Sequence, residues 1–212
     1  MEVWRMIDGE RSGFADLADS LTPQQWDRRS LYSARRVRDV VAHVAEGSNL
    51  TAGKAIGTLV KYGFRLNTML EREAVTDGNQ PIDELRTQLR ATIGKRTTPP
   101  GAKSVDVLVD LVIHQQDVRR PLEFARTIAP QTLAAALDQA SNRTGPLGGL
   151  LPGQKRTSGL KLRATDIEWE HGEGKELQGP GEALLMAIGG RTAALVDLSG
   201  PGLDTLTTRL RG

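Results

Sequence analysis

The apolar residues of this chain change their period once, and that change limits the fold more than any other feature. Up to about residue 142 they recur every three or four positions, and from residue 160 they alternate with polar ones over short runs. A period near 3.6 lines up side chains on one face of a helix, and a period of two lines them up on one face of a strand. The expected fold class is therefore α+β, with a helical region first and a small mixed unit after it.

Val3, Ile7, Phe14, Leu17 and Leu21 predict a first helix over about residues 3–20. Thr22-Pro23-Gln24-Gln25 reads as a capped helix start, with Thr at N-cap, Pro at N1 and Gln at N3, opening a short turn that carries Trp26. Val37, Val40, Val41 and Val44 open a longer helix, expected to run past a break near Gly47 to about residue 70. Asp77 to Pro81 reads as a loop, and Ile82, Leu85, Leu89 and Ile93 mark a third amphipathic helix. After a break over Thr97 to Gly101, a strongly apolar helix is expected from Val105 to about Val118 and an Ala-rich one from Pro130 to Ser141. Short connections and single apolar stripes are the pattern of an up-and-down bundle.

Asn142 to Ser158 breaks the helical period with Gly145-Pro146, Gly148-Gly149 and Pro152-Gly153 and is expected to be a linker or loop. It lacks the G-K-[ST] ending of a phosphate-binding loop. Beyond it Leu160, Leu162 and Ala164 alternate with Lys161 and Arg163, and Ile167, Trp169 and His171 alternate likewise, with Thr165-Asp166 as a hairpin turn. Leu177 falls on a third strand, a helix starts at Gly179-Pro180 and stops at Gly189-Gly190, an apolar segment spans Ala193 to Leu198, and Asp204 to Leu210 closes the pattern. The expected domains are thus 1–142, a Gly/Pro-rich linker over 143–158, and an α/β domain over 159–212.

Composition removes several function classes. The 212 residues include no Cys, so disulfides, thiolate–zinc sites and Cys nucleophiles are all excluded, and any thiol chemistry needs a thiol from outside. No apolar run reaches the roughly 18 residues of a membrane span, and Met1-Glu2-Val3-Trp4-Arg5 has no apolar signal region, so a cytoplasmic protein is expected. The net charge of +2 gives no case for nucleic acid as a partner. Arg28, Arg29, Arg35, Arg36 and Arg38 cluster locally, and such a run reads either as a solvated loop face or as an anion-binding one.

The chain has three histidines, His43, His114 and His171. Asp110 and His114 stand one helical turn apart on one face, and Asp117 extends that stripe by another turn. Asp110 has apolar neighbours on either side, where a metal ion or cation would offset the cost of desolvating it. His43, at the edge of the valine stripe, can meet that face across the bundle. Two imidazoles and a carboxylate form a three-ligand set with open positions, suited to a catalytic divalent ion. The same spacing also occurs as a plain hydrogen-bonded pair, and the residues alone leave both readings open. His171, beside Trp169 on an alternating strand, reads as a packing or surface residue.

Three segments carry a family resemblance: Ser20-Leu21-Thr22-Pro23-Gln24-Gln25-Trp26-Asp27, Val37-Arg38-Asp39-Val40-Val41-Ala42-His43-Val44, and His114-Gln115-Gln116-Asp117-Val118-Arg119-Arg120-Pro121-Leu122. They resemble the mycothiol-dependent maleylpyruvate isomerase family of DinB-like metalloenzymes. Leu160-Lys161-Leu162-Arg163-Ala164-Thr165-Asp166 and Gly179-Pro180-Gly181-Glu182-Ala183-Leu184-Leu185 are similar to its small C-terminal domain. The resemblance implies an N-terminal DinB-like four-helix bundle followed by a small C-terminal α/β domain. It implies metal ligands at His43, Asp110 and His114, with Asp110 standing where the family has Glu. It also implies a divalent metal, zinc first, and mycothiol or a similar low-molecular-weight thiol acting with a small electrophile in an S-transferase or isomerase reaction. Arg191, after the glycine stop, is the candidate catalytic residue, a guanidinium to fork a substrate carboxylate, and it reads equally as a cation at a helix C-terminus. Asp117 is either a second partner of His114 or a partner of neighbouring arginines or backbone. Ser33-Ala34-Arg35-Arg36 stands where relatives commonly carry Pro-Gly-Trp. A monomer or homodimer without membrane or nucleic-acid partners is expected. The alternative reading is a family member without catalysis that serves as a binding or regulatory module.

Overall fold

The computed structural model describes residues 1–32, 35–49, 53, 76–142 and 153–211. It divides into two compact units, Met1–Ala125 and Arg126–Gly212. Among the described residues the elements are helices in both units and one three-stranded sheet in the second, consistent with an α+β class.

The first unit is helical. α1 spans Glu2–Ser20, α2 Pro23–Trp26, α3 Val37–Gly47, α4 Ile82–Arg90 and α5 Ser104–Arg119. α1 packs on α4 and α5, and α3 packs on the same two helices. Ile7, Phe14, Leu17, Val37, Val40, Val41, Leu85, Leu89, Leu108, Val112 and Val118 supply the buried contacts. Each large apolar side chain buried in this way stabilises the fold by about 1.5–3 kcal/mol. α5 is buried from Leu111 to Val118 without a gap, the behaviour of a helix surrounded by others rather than lying on the surface.

Polar groups set the helix ends. Thr22 and Gln25 form the capping box read from the sequence, with Gln25 N–H donating to Thr22 Oγ1 at 3.3 Å and Thr22 N–H to Gln25 Oε1 at 2.9 Å. Asp39 Oδ2 accepts the Arg36 N–H at 2.8 Å and holds the first turn of α3, one turn before His43. Arg11 is buried on α1 and donates to Lys95 O at 2.7 Å and Ser48 Oγ at 3.0 Å, tying α1 to the end of α3. The expected continuation of α3 toward residue 70 lies almost wholly outside the described residues. Ile93, expected on the third helix, lies beyond the end of α4 and is exposed, because the chain turns over Ala91 to Gly94 and Gly94 N–H donates to Asp8 Oδ1.

The second unit holds α6 (Pro130–Asn142), α7 (Gly153–Thr157), β1 (Leu160–Ala164), β2 (Glu170–His171), β3 (Lys175–Gly179), α8 (Gly181–Ile188) and α9 (Leu203–Arg211). The apolar segment after the glycine stop is a 3-10 helix, Thr192–Asp197. β1 is central, antiparallel to β2 and parallel to β3, with Leu162 opposite both His171 and Leu177. The strand order fits the alternating pattern, but the hairpin connection is longer than the two residues expected, since Thr165 to Trp169 all lie between the strands. Asp166 Oδ1 instead accepts the Gly181 N–H at 2.7 Å at the start of α8.

Two boundaries differ from those read in the sequence. α6 belongs to the second unit, where it packs on α8 closely enough that a Cβ at Gly181 would lie 2.9 Å from Leu133. The helical period of α6 shows that it buries a face without showing what covers it. Within the expected linker, Gly153–Thr157 is a helical turn, closed by Thr157 Oγ1 on Gly153 O at 3.1 Å and tied to α8 by Arg156 Nη1 on Ile188 O at 2.8 Å.

The turn between β2 and β3 depends on glycine. Gly174 has φ 121°, and an added Cβ would collide with the carbonyl of Gly159. Gly174→Ala is expected to cost about 1–3 kcal/mol, a lowering of the melting midpoint by several degrees in a circular-dichroism melt. An unchanged midpoint would show that this turn does not need its present backbone.

Candidate functional site

The site starts from the stripe on α5. Asp110, His114 and Asp117 follow one another at i, i+4 and i+7, and their side chains meet. His114 Nε2 lies 3.2 Å from Asp110 Oδ1, and His114 Nδ1 lies 2.9 Å from Asp117 Oδ2. Asp117 is fully buried and His114 nearly so, while the Asp110 side chain is 44% exposed. One side of the imidazole is therefore sealed and the other opens outward.

α3 brings His43 to the open side. Its ring meets that of His114 edge-on, with centroids 5.0 Å apart and planes at 82°. One ligand atom from each of His43, Asp110 and His114 lies within 4.8 Å of the other two, so the three residues named from the sequence converge. Two imidazole nitrogens and one carboxylate oxygen at this separation suit a single divalent ion with positions left open. The donor set fits such an ion, and His43, Asp110 and His114 would hold it.

Charge around His114 is unusual for a buried imidazole. Burial works against its protonation, but Asp110 and Asp117 on either side outweigh that and hold its pKa above the ordinary 6.5. Asp117 engages Nδ1, so Nε2 is the nitrogen turned toward Asp110 and His43, and a divalent ion held there would displace the proton that Asp110 favours on it. The sequence leaves the role of Asp117 open between His114 and neighbouring arginines or backbone; its Oδ2 lies 2.9 Å from His114 Nδ1.

Other residues come to the site without a sequence signal that pointed there. Tyr32 packs edge-on against His114, with centroids 4.9 Å apart, and lies 6.5 Å from His43. The loop carrying it is fastened to α5 by Leu31 N–H donating to the carbonyl of Asp117 at 2.9 Å. The Arg35 guanidinium stands over the Tyr32 ring, 4.2 Å from its centroid. The arginine run thus divides: Arg28 and Arg29 are exposed, Arg36 bonds Asp39 and Asn79, Arg38 bonds Asp27 and the carbonyl of Gln80, and Arg35 is buried.

Arg191 and His171 lie in the second unit. Arg191 is buried, with Nη1 donating to Gly189 O at 2.7 Å at the C-terminal end of α8, the helix-end arrangement read as its alternative role. His171 stacks on Trp169, with ring planes 11° apart, and Trp169 Nε1 donates to Asp138 Oδ1 at 2.8 Å.

Residues 7–129 match the family model of the mycothiol maleylpyruvate isomerase N-terminal domain. No curated protein matches the chain. Among solved structures the fold is similar to the mycothiol-dependent maleylpyruvate isomerase, with a TM-score of 0.57 at 12% identity over 94% of this chain and 92% of that one. A histidine-to-alanine mutant of that isomerase gives a TM-score of 0.58 at 14% identity with the same coverage. At these identities the likeness is one of fold.

If Asp117 sets the His114 tautomer, Asp117→Asn should weaken zinc binding by about 10–100-fold while keeping the helical content. Competition with a chromogenic chelator measures this, and an unchanged affinity would remove Asp117 from the site.

Proposed function

Because the chain belongs to the mycothiol maleylpyruvate isomerase N-terminal domain family, we propose that it is a divalent-metal-dependent enzyme using mycothiol or a similar small thiol. It acts as an isomerase or S-transferase on a small electrophile, with zinc as the first candidate ion. The observation that carries the reading is the convergence of His43, Asp110 and His114 donor atoms within 4.8 Å, with Asp117 engaged on the remaining nitrogen of His114.

A divalent ion held by these donors would lower the pKa of a bound thiol and supply thiolate at neutral pH. The chain's own residues do the positioning. Asp117 holds the His114 ring through Nδ1, Tyr32 packs edge-on with it, and α3 presents His43 to the same ring. Asp110 is one methylene shorter than the glutamate of the family pattern, yet its Oδ1 comes within 3.2 Å of His114 Nε2, and its exposed side chain leaves the approach open. A chain without cysteine must take its thiol from outside. For an isomerisation the external thiol adds to an electrophilic double bond, the resulting single bond rotates, and elimination restores both double bond and thiol.

Several finer assignments belong to the same reading. Met1–Ala125 would be the DinB-like four-helix bundle, supported by the packing of α1 and α3 on α4 and α5. Arg191 is the candidate to fork a substrate carboxylate, but its burial at the end of α8 with Nη1 on Gly189 O supports instead its alternative role as a helix-end cation. The chain would work in the cytoplasm as a monomer or homodimer, and no described helix is long and apolar enough to cross a membrane. The alternative of a non-catalytic binding module is motivated by Asp110 in place of the family Glu and by the arginine run; of that run, Arg36 and Arg38 are engaged with Asp27, Asp39 and backbone, which leaves little of a continuous basic face.

The test is turnover of maleylpyruvate by the zinc-loaded chain with mycothiol, and with glutathione as a second thiol. Thiol-dependent isomerisation that a chelator abolishes, that zinc restores, and that His43→Ala lacks is the expected outcome. Zinc binding without turnover by either thiol would favour the binding module; no zinc binding would overturn the metal reading itself.

A further inference from the structure

Gly78 is buried, and its φ lies outside the left-handed region, so its backbone angle does not call for glycine. Space does. A Cβ at this position would lie 2.1 Å from Asp39 Oδ1 and 3.0 Å from Asp39 Cα, so any larger residue would push the turn before α4 off the first turn of α3.

Asp39 is the residue on which this turn closes. Its side chain is 2% exposed. Besides the Arg36 N–H, it accepts Arg36 Nε–H at 3.1 Å through Oδ2 and Arg36 Nη2–H at 2.9 Å through Oδ1. Arg36 Nη2 also donates to Asn79 Oδ1 at 2.8 Å. Arg38 donates through Nε to the carbonyl of Gly78 and through Nη2 to that of Gln80 at 2.8 Å. Residues 78–80 are thus bonded to α3 through the arginines on either side of Asp39. A carboxylate forked by one guanidinium is held in a fixed geometry, and a buried one cannot swing away without leaving charge unpaired.

α3 carries its metal-ligand candidate one turn further on. Asp39 and His43 stand at i and i+4, on one face of the helix. The His43 ring meets that of His114 with centroids 5.0 Å apart, and the three donor atoms converge within 4.8 Å. Such a set works only if its supports hold it to about 0.5 Å. We infer that the Asp39–Gly78 contact positions α3 and so sets the approach of His43 to His114 in the candidate metal centre. Asp39 is a positioning residue: it acts through His43 and is not one of the three donors. The inference rests on the metal-dependent reading for its effect on ion binding, whereas the placing of His43 does not depend on that reading.

Two measurements on the full chain test it. Nuclear magnetic resonance of the metal-free protein reads the His43–His114 contact as a cross-peak between their ring protons, and cobalt titration followed by visible absorption reads the centre itself. Asp39→Ala and Gly78→Ala should each lose the cross-peak, weaken cobalt binding by about tenfold or more and change the cobalt spectrum. Asp39→Asn, which keeps the shape and loses the charge, should fall between these and the parent, and it serves if the Ala variants do not fold. Gly174→Ala, which strains a turn of the second unit, should match the parent in both readouts and so separates destabilisation from displacement of His43. A parent without the cross-peak, Asp39 and Gly78 variants that keep it, its loss with cobalt affinity unchanged, or an equal loss in Gly174→Ala would each overturn the inference. If the parent does not bind cobalt, the metal reading falls, and the metal-free spectra still decide whether Asp39 places His43.

Discussion

A neutral imidazole offers one nitrogen as donor and the other as acceptor, and which is which depends on its neighbours. In this chain Asp117 engages one nitrogen of His114, Nδ1. Its carboxylate is fully buried, 2.9 Å from Nδ1, and leaves Nε2 to face Asp110 and His43. A carboxylate buried to this degree is costly without a partner, so the pair needs the close helix packing that removes water, and the packing needs the pair to satisfy the charge. The burial of α5 from Leu111 to Val118, the edge-on contact with Tyr32 and the loop bond from Leu31 all converge on this one residue pair.

The basic residues nearby serve mainly to shape the chain. Arg36 and Arg38 reach from α3 to Asp27, Asn79 and the carbonyl of Gln80, and so join the start of α3 to the segment before α4. Exposed pairs of this kind contribute little stability singly, but here they fix the direction from which His43 enters. The arginine run that looks from its spacing like an external face is thus largely internal wiring, with Arg35 directed to the aromatic wall of the site.

Much of this was legible in the sequence. The valine stripe of α3, the Thr22/Gln25 capping box and the Asp110/His114 spacing are local signals, decided by residues within one or two turns. Local signals do not say which faces meet. That α6 belongs with α8 depends on Leu133 and Leu137 closing over Gly181, some forty positions away, and the helical period of α6 is the same whichever unit it joins. The turn at Gly153–Thr157 depends on Ile188 in the same way. Tyr32 and Arg35 lie in irregular structure, where no period exists to reveal that the Tyr32 ring meets His114 and that the Arg35 guanidinium lies over that ring. Asp117 lies on the same stripe, and its spacing alone does not show that its Oδ2 comes 2.9 Å from His114 Nδ1.

The proposed function depends on whether His43, Asp110 and His114 hold one divalent ion between α3 and α5. X-ray absorption at the zinc edge of the loaded protein reads that shell directly. Scattering from two histidine rings at the roughly 2.0–2.1 Å typical of zinc–nitrogen bonds, with one ring lost in His43→Ala, is the expected result. Zinc surrounded by oxygen alone, or a shell that His43→Ala leaves unchanged, would contradict it.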